Sequence, residues 1–169
     1  DLIVAPNALN ISENFKGCWY YKNIGTNDIP DFVLQKKSFL QDEMIEVGEN
    51  ALPVFFDYDN DSLMDIACGN YGFFVSAGNY RSSVALYKNI GTAVVPKYQL
   101  VTFDFGNTSA MNKTNMYPTF GDLDGDGDKD MIVGDYDGKL HYFQNTAGPQ
   151  NPANLSLFQA NITNSSGTI

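Results

Sequence analysis

The chain has 169 residues, a formal net charge of −10 and 43% apolar residues, which is enough to build the core of one domain. An acidic balance of this size disfavours binding to nucleic acid and to anionic membrane surfaces, because both need a basic footprint. No run of about 18 apolar residues occurs, so the sequence predicts no membrane span. Fifteen glycines and seven prolines are spread along the chain and favour short strands and turns over long helices.

The first unit, residues 1–50, lacks the element that opens the later units. Its opening segment, DLIVAPN at Asp1–Asn7, aligns with the second strand of those units, and an insertion follows at residues 7–17. The third strand carries WYYKNIGT at Trp19–Thr26, and a Phe-x-Leu alternation predicts a fourth strand after it. We therefore expect three strands here, with Asp1 at the last acidic position of a loop whose earlier part is missing.

The second unit, residues 51–116, contains every element of the repeat. PVFFDYDNDSLMDIACGN at Pro53–Asn70 combines a Pro-x-Phe strand, an acidic loop at residues 57–65 and a short apolar strand. The insertion at residues 70–83, like the one in the first unit, is predicted to be an exposed loop. ALYKNIGT at Ala85–Thr92 repeats the third strand of the first unit 66 positions later.

The third unit, residues 117–169, repeats the second. PTFGDLDGDGDKDMIVGD at Pro118–Asp135 matches the opening of the second unit 65 positions later without a gap, and its acidic loop covers residues 122–130. Asp137-Gly138 predicts a tight hairpin between the second and third strands. HYFQNTAG at His141–Gly148 is a weaker copy of the third strand, and NLSLF at Asn154–Phe158 supplies the fourth.

A repeat of about 65 residues predicts an all-β fold of four-stranded antiparallel units in tandem. Such units are typical of β-propeller blades, which bury their faces against their neighbours. The strand count is three, four and four, whereas a closed ring needs more blades. We therefore expect a partial propeller of two full blades and part of another, packed against neighbouring blades of a larger chain.

The two nine-residue loops carry aspartates at positions 1, 3, 5 and 9, and a backbone carbonyl is expected to add a donor at position 7. Calcium takes about 6–8 oxygens, and without a cation such close carboxylates would repel by roughly 1–4 kcal/mol per pair. The sequence therefore predicts two Ca²⁺ sites. The predicted ligands are Asp57, Asp59, Asp61, Asp65 and the Leu63 carbonyl in the first loop, and Asp122, Asp124, Asp126, Asp130 and the Asp128 carbonyl in the second.

An EF-hand shares the opening spacing of these loops but needs a bidentate Glu at position 12 and flanking helices. Position 12 is Cys68 in the first loop and Val133 in the second, and the flanks are strand-like, which excludes an EF-hand. An Asp-rich solvated turn stays open as the alternative to a metal site. It is the stronger alternative for the first loop, where Ser62 replaces the turn glycine and is expected to strain the reversal.

No catalytic constellation accompanies the loops, and the sequence predicts a non-enzymatic module. His141 is the only histidine and lies in a predicted strand, where a surface or hydrogen-bonded role is expected. Clustered aspartates held ionised by a cation do not suit glycosidase chemistry. Cys18 and Cys68 are expected to be buried apolar residues, with a disulfide as the alternative. Trp19 is expected to pack between blades, with a carbohydrate-stacking surface as the alternative.

The pattern Pro-x-Phe-x-Asp-x-Asp-x-Asp-Gly-x-x-Asp, followed by an apolar strand and Gly, resembles the FG-GAP/VCBS repeats and the calcium-loop blades of integrin α-subunit propellers. The resemblance implies a β-propeller, calcium in each loop, an extracellular or cell-surface location, and an adhesion or scaffold role with another surface protein or a glycan as partner. KNIGT followed by Pro-x-Phe/Tyr is also similar to repeats of large secreted Bacteroidetes-type proteins, often exported by type IX secretion. The alternative is an accessory module of a large secreted enzyme, such as a polysaccharide lyase, glycosidase or peptidase.

Overall fold

The computed structural model describes residues 1–6, 15–164 and 167–168, and regular structure in these ranges is almost entirely β. Two short 3₁₀ segments, Gln41–Glu43 and Phe105–Met111, are the helical elements of the described ranges. The strands are β1 (Leu2–Val4), β2 (Trp19–Asn23), β3 (Phe32–Lys36), β4 (Leu52–Phe56), β5 (Asp65–Gly69), β6 (Phe73–Ser76), β7 (Asn79–Arg81), β8 (Ala85–Asn89), β9 (Tyr98–Thr102), β10 (Tyr117–Gly121), β11 (Asp130–Gly134), β12 (Leu140–Asn145), β13 (Leu155–Gln159), β14 (Thr163–Asn164) and β15 (Gly167–Thr168).

Three antiparallel sheets follow one another along the chain. The first sheet has the order β1-β2-β3, the second β4-β5-β8-β9 and the third β10-β11-β12-β13. Strands β6 and β7 form a separate hairpin, as do β14 and β15. The all-β prediction and the predicted strand numbers of three, four and four are confirmed.

The two complete sheets share one register where the acidic loops leave and re-enter them. In the second sheet Phe56 pairs with Asp65, and in the third Gly121 pairs with Asp130. In both cases the last aspartate of the loop is therefore the first residue of the next strand. Residues 65 positions apart in the sequence therefore occupy equivalent backbone positions in the two sheets.

The main core lies between the second and third sheets. Phe56 and Leu86 of the second sheet pack with Met131, Val133 and Phe143 of the third. A second cluster covers the opposite face of the second sheet and includes Ile66, Cys68 and Tyr87. Because successive side chains of a strand point to opposite faces, β5 contributes Ala67 to one cluster and its two neighbours to the other. All five residues of β5 are buried, as expected of a strand covered on both faces.

The insertion at residues 70–83 is exposed in its middle, where Val75 is 53% exposed, but its ends are buried and differ from the exposed loop predicted for it. It contains the β6–β7 hairpin, and Asn70 and Ser82 near its ends are each 1% exposed. The Asn70 side-chain oxygen accepts hydrogen bonds from Ser82 Oγ (2.9 Å) and the Ser83 amide (3.1 Å). The Asn70 carbonyl accepts from the Met116 amide at 3.0 Å. These polar residues satisfy buried backbone groups where the second sheet meets the third, so they do not form a solvated loop.

The insertion predicted at residues 7–17 lies largely outside the described residues, which resume at Phe15. The Phe15 ring contacts Phe73 and Phe103, with centroids 5.6 and 5.4 Å away. This end of the insertion therefore packs on the second sheet. The hairpin predicted at Asp137-Gly138 is confirmed, because Gly138 has φ 74° and the residues at the two ends of the turn, Asp135 and Lys139, are hydrogen-bonded.

The cysteines are both free, so a disulfide between them is absent. Cys68 is buried, as predicted, and burial raises the pKa of its thiol to about 11, which keeps it protonated at neutral pH. Cys18 is only half-buried. Trp19 is also half-buried and lies in neither buried cluster of the described residues. The Lys37 ammonium covers its ring at 4.7 Å from the centroid.

No helix in the described part of the chain has the length and apolar character needed to cross a membrane.

Candidate metal sites in the acidic loops

Each acidic loop connects the first two strands of its sheet and reverses through left-handed backbone. Gly125 and Gly127 of the second loop have φ of 82° and 93°. The equivalent residues of the first loop, Asn60 and Ser62, have φ of 59° and 67°. A serine in this region is strained, whereas glycine enters it freely. Ser62 therefore has the left-handed backbone of the turn glycine that it replaces, as predicted from the sequence.

The aspartates of both loops turn inward and accept hydrogen bonds from their own loop backbone. Asp57 accepts from the amides of Asp61 (3.2 Å) and Ser62 (2.9 Å). Asp122 accepts in the same way from Gly125 (2.7 Å) and Gly127 (3.2 Å). These hydrogen bonds hold carboxylate oxygens close together, although Asp61, Asp122 and Asp124 remain exposed to solvent. In each loop three carboxylates place one oxygen within 4.8 Å of the others, and these groups are Asp57, Asp59 and Asp61, and Asp122, Asp124 and Asp130.

The last aspartate of each loop is fully buried and braces the sheet. Asp65 accepts from the amides of Tyr58 (2.7 Å) and Asn89 (2.7 Å), so it joins the loop to the third strand of its sheet. Asp130 accepts from the amides of Leu123 (3.0 Å) and Asn145 (2.8 Å), which are the equivalent residues. Burial raises the pKa of Asp65, and the negative charges of Asp59 and Asp61 raise it further. The hydrogen bonds from the two amides act in the opposite direction.

Asp1 takes the corresponding place in the first sheet. It accepts from the Asn23 amide at 2.9 Å and from the Tyr20 hydroxyl at 2.9 Å. Asn23 is the residue that corresponds to Asn89 and Asn145 in the other sheets. Asp1 therefore makes the same contact with the third strand of its sheet that Asp65 and Asp130 make in theirs.

Two carboxylate oxygens in the described part of the chain are buried without a hydrogen-bond partner, one in each loop. They are Oδ1 of Asp59 and Oδ1 of Asp128. An unsatisfied buried acceptor is unfavourable by about 1–3 kcal/mol, and a bound cation would satisfy it. Donors made only of hard oxygen atoms in a tight loop fit calcium or magnesium better than a soft transition metal.

Comparison with protein-family models gives a match over residues 57–133 to the FG-GAP-like repeat. This part of the chain is similar to the FG-GAP-like repeat. No curated protein and no solved structure matches the chain. The matched segment begins at the first aspartate of one acidic loop and ends inside β11, so it includes both loops and all strands of the second sheet except β4. FG-GAP-like repeats are β-rich modules associated with protein interaction and are generally non-catalytic.

Two residues beside the FG-GAP-like loops were missed by sequence reasoning. The Lys88 ammonium pairs with Asp59 and lies 3.3 Å from Asp61 Oδ2. The Gln144 amide donates to Asp124 Oδ2 at 2.7 Å. The available signal was their common place in the third-strand motif, directly before Asn89 and Asn145.

Three of the four predicted aspartate ligands of each loop lie close together. Asp65 and Asp126 lie outside the two carboxylate groups, and the carbonyl ligands proposed at Leu63 and Asp128 stay predictions. The Asp128 side chain was not considered from sequence, yet it is buried and accepts from the Gly148 amide at 2.9 Å. Burial and the neighbouring Asp126 charge raise the pKa of Asp128.

His141 lies in a hydrogen-bonded position away from the acidic loops. It is buried, with Nε2 3.0 Å from Asp135 Oδ2, and its Nδ1 accepts from the Asn161 amide at 3.3 Å. Asp135 also accepts from the amides of Asp137 and Lys139, so it closes the β11–β12 turn. This agrees with the hydrogen-bonded role expected for the histidine.

Proposed function

We propose that the chain is a calcium-binding β-propeller segment in which the three successive sheets are blades and each complete acidic loop holds one Ca²⁺. The observation that carries this proposal is the repetition of one loop geometry at one register in two sheets. The blades would cover residues 1–50, 51–116 and 117–169. The metal ligands would come from the aspartates of loops 57–65 and 122–130.

The packing of the second and third sheets supports the assignment as blades. Both are antiparallel meanders whose strands follow chain order, and their facing sides enclose the main core. Phe56 of one sheet stacks on Phe120 of the next, with centroids 3.9 Å apart. Propeller blades pack face to face in this manner around a central axis.

The charge of the loops supports a bound cation. Each loop gathers three carboxylates and contains one buried carboxylate oxygen without a hydrogen-bond partner, which belongs to Asp59 in the first loop and to Asp128 in the second. A divalent ion would offset the repulsion among these carboxylates, which is larger away from bulk water. It would also tie the first strand of the blade to the second, because the loop connects them.

Calcium bound only by the folded state stabilises it by mass action, by about 2.7 kcal/mol at a free concentration one hundred times the Kd. Extracellular calcium modules typically have a Kd of about 10⁻⁴–10⁻³ M. The module would then be stable outside the cell, where calcium is abundant. This fits a non-enzymatic adhesion or scaffold role at the cell surface, with another surface protein or a glycan as partner.

Thermal unfolding of the whole chain tests the proposal. We expect the midpoint to rise by several degrees when chelator is replaced by millimolar calcium. Magnesium at the same concentration serves as the control, because it demands a smaller and more regular oxygen cage and should give a smaller shift. An unfolding midpoint that is the same in chelator and in saturating calcium would contradict calcium binding by the folded chain.

A further inference from the structure

The two acidic loops face different residues of the third strand. In the second sheet β8 pairs with β5 through Ile66 and Tyr87, and in the third sheet β12 pairs with β11 through Met131 and Phe143. The next residue of the third strand is Lys88 in one sheet and Gln144 in the other. The same backbone position therefore presents an ammonium to loop 57–65 and a neutral amide to loop 122–130.

Lys88 contacts two of the three carboxylates that form the candidate site. Its ammonium pairs with Asp59 Oδ2 and lies 3.3 Å from Asp61 Oδ2. The Asp59 side chain is only 12% exposed, whereas that of Lys88 is 32% exposed. The ammonium thus pairs with one largely buried carboxylate, Asp59, and lies near a second, Asp61, whose side chain is 32% exposed, and it partly neutralises their charge.

Gln144 cannot do the same in the other loop. Its amide donates a single hydrogen bond to Asp124 and carries no net charge. In the described part of the chain no salt bridge involves Asp122, Asp124 or Asp130, so only solvent and neutral hydrogen-bond donors offset their mutual repulsion before a cation binds. The two loops have similar aspartate spacing but a different charge balance in the metal-free protein.

We infer that Lys88 competes with the metal in loop 57–65. The two sites therefore differ in calcium affinity, and the site in loop 57–65 is the weaker. Loop 122–130 then fills first. Loop 57–65 exchanges its own ammonium for calcium only at higher concentration. The inference rests on the proposed calcium sites and adds a residue that sets the difference between them.

The expected size of the effect follows from exposure. Calcium entering loop 57–65 must displace the ammonium or tolerate a positive charge within a few ångströms. Because Lys88 is a third exposed, solvent screens part of this cost, as it does for exposed ion pairs in general. We expect a roughly tenfold difference in Kd, which corresponds to about 1.4 kcal/mol.

Titration calorimetry with calcium chloride on the whole chain tests this inference. An Asp122→Asn background weakens calcium binding by the second loop, so that the titration reports binding by loop 57–65. There, Lys88→Gln should tighten the Kd by about tenfold, while Lys88→Arg, which keeps the charge, should leave it near that of the parent. In the reciprocal experiment, Gln144→Lys in an Asp57→Asn background should weaken the second site by a similar factor.

The outcomes separate the inference from the proposed function. Calcium binding that is the same in the Lys88→Gln and parent proteins would overturn the role of Lys88 and leave the calcium sites in place. Failure of calcium to bind any variant would overturn the sites themselves and the inference with them. Thermal unfolding in chelator gives an independent readout, since Lys88→Gln should lower the metal-free midpoint and enlarge the calcium-induced shift.

Discussion

The rings of Phe56 and Phe120 stack face to face across the boundary between the second and third sheets, with their planes within 4° of parallel. The 65-residue repeat aligns Phe120 with Phe55, not with Phe56. Phe55 is 60% exposed, whereas Phe56 is buried in the main core. The first strand of the repeat therefore has two neighbouring positions, on opposite faces, that can carry an aromatic ring. The contact between the sheets pairs the second position of one sheet, Phe56, with the first position of the next, Phe120.

Truncation of the stacked ring should be far more costly than truncation of its exposed neighbour. Phe56→Ala removes a buried ring from the inter-sheet core, and we expect a loss of about 3–5 kcal/mol in the free energy of unfolding. Phe55→Ala is the matched control and should stay within about 1 kcal/mol of the parent. Urea denaturation at fixed calcium concentration measures both. Similar losses for the two variants would contradict the assignment of the core to the Phe56 face.

Removal of one carboxylate should affect one acidic loop only. Asp124→Ala takes a donor from the group formed with Asp122 and Asp130, so we expect calorimetry to report one calcium per chain instead of two. The Asp57 loop should stay loaded. Asp137→Ala, which removes a carboxylate that is half exposed and outside both loops, should keep two. An unaltered stoichiometry in Asp124→Ala would exclude that aspartate as a ligand.

The buried pair of Asp135 and His141 should make stability depend on pH at the acidic end. Burial opposes ionisation of Asp135, but the hydrogen bonds from His141 and the Lys139 amide and the charge of Lys113 together lower its pKa. A carboxyl whose pKa is lowered by folding stabilises the protein above its unfolded pKa of about 3.9, and this stabilisation is lost as the pH falls through the lower, folded pKa.

Asp135→Asn tests this dependence. At neutral pH the variant should be less stable by about 1–3 kcal/mol, because buried donors lose their charged acceptor. The difference from the parent should narrow as the pH falls below about 4, where the unfolded carboxyl becomes protonated, and should be lost once the pH falls through the lower pKa of the native carboxylate. Urea denaturation across this range gives the two curves, with Asp137→Asn as the control for loss of a surface charge. A gap that stays constant with pH would show that ionisation of Asp135 is not involved.

The sheets could be predicted from the sequence because the repeat preserves register. Pro53 and Pro118 are the second residues of equivalent strands, and the gapless offset between them places the same pairing in both sheets. The acidic spacing was informative for the same reason, since alternate residues of a tight loop converge whatever surrounds them. Local patterns of this kind are encoded by neighbours in the chain.

The features that were missed depend on contacts between distant residues. Asn70 and Ser82 are residue types common in loops, but both are buried and accept hydrogen bonds from the amide of Met116, which directly precedes the third sheet. Lys88 is 29 positions from Asp59, and its place in the third-strand motif indicates the contact with an acidic loop only once the strand pairing is known. The burial of Asp128 depends likewise on Gly148, 20 positions later. Such side chains can be assigned only when the sheets are assembled.

A final prediction uses two glycines that the repeat makes equivalent but the fold does not. A Cβ atom at Gly69 would lie 1.9 Å from the Met116 carbonyl oxygen and 2.7 Å from Pro118 Cδ, where the third sheet begins. At Gly134 the nearest atom would be Leu140 Cδ2, at an ordinary 3.6 Å. The close approach of the two sheets therefore requires glycine in the second sheet and leaves room for alanine in the third.

Gly69→Ala should push the start of the third sheet away from the second and cost about 1–3 kcal/mol or more, as overpacking of a close contact does. Gly134→Ala should be neutral or stabilise the protein by about 0.5–1 kcal/mol, because glycine within a strand is entropically unfavourable. Urea denaturation compares the two. Since backbone displacement at Gly69 would also loosen the Phe56–Phe120 stack, the losses of Gly69→Ala and Phe56→Ala should be less than additive in the double variant. Equal stability of the two glycine variants, or full additivity in the double variant, would mean that Met116 does not hold the sheets at this distance.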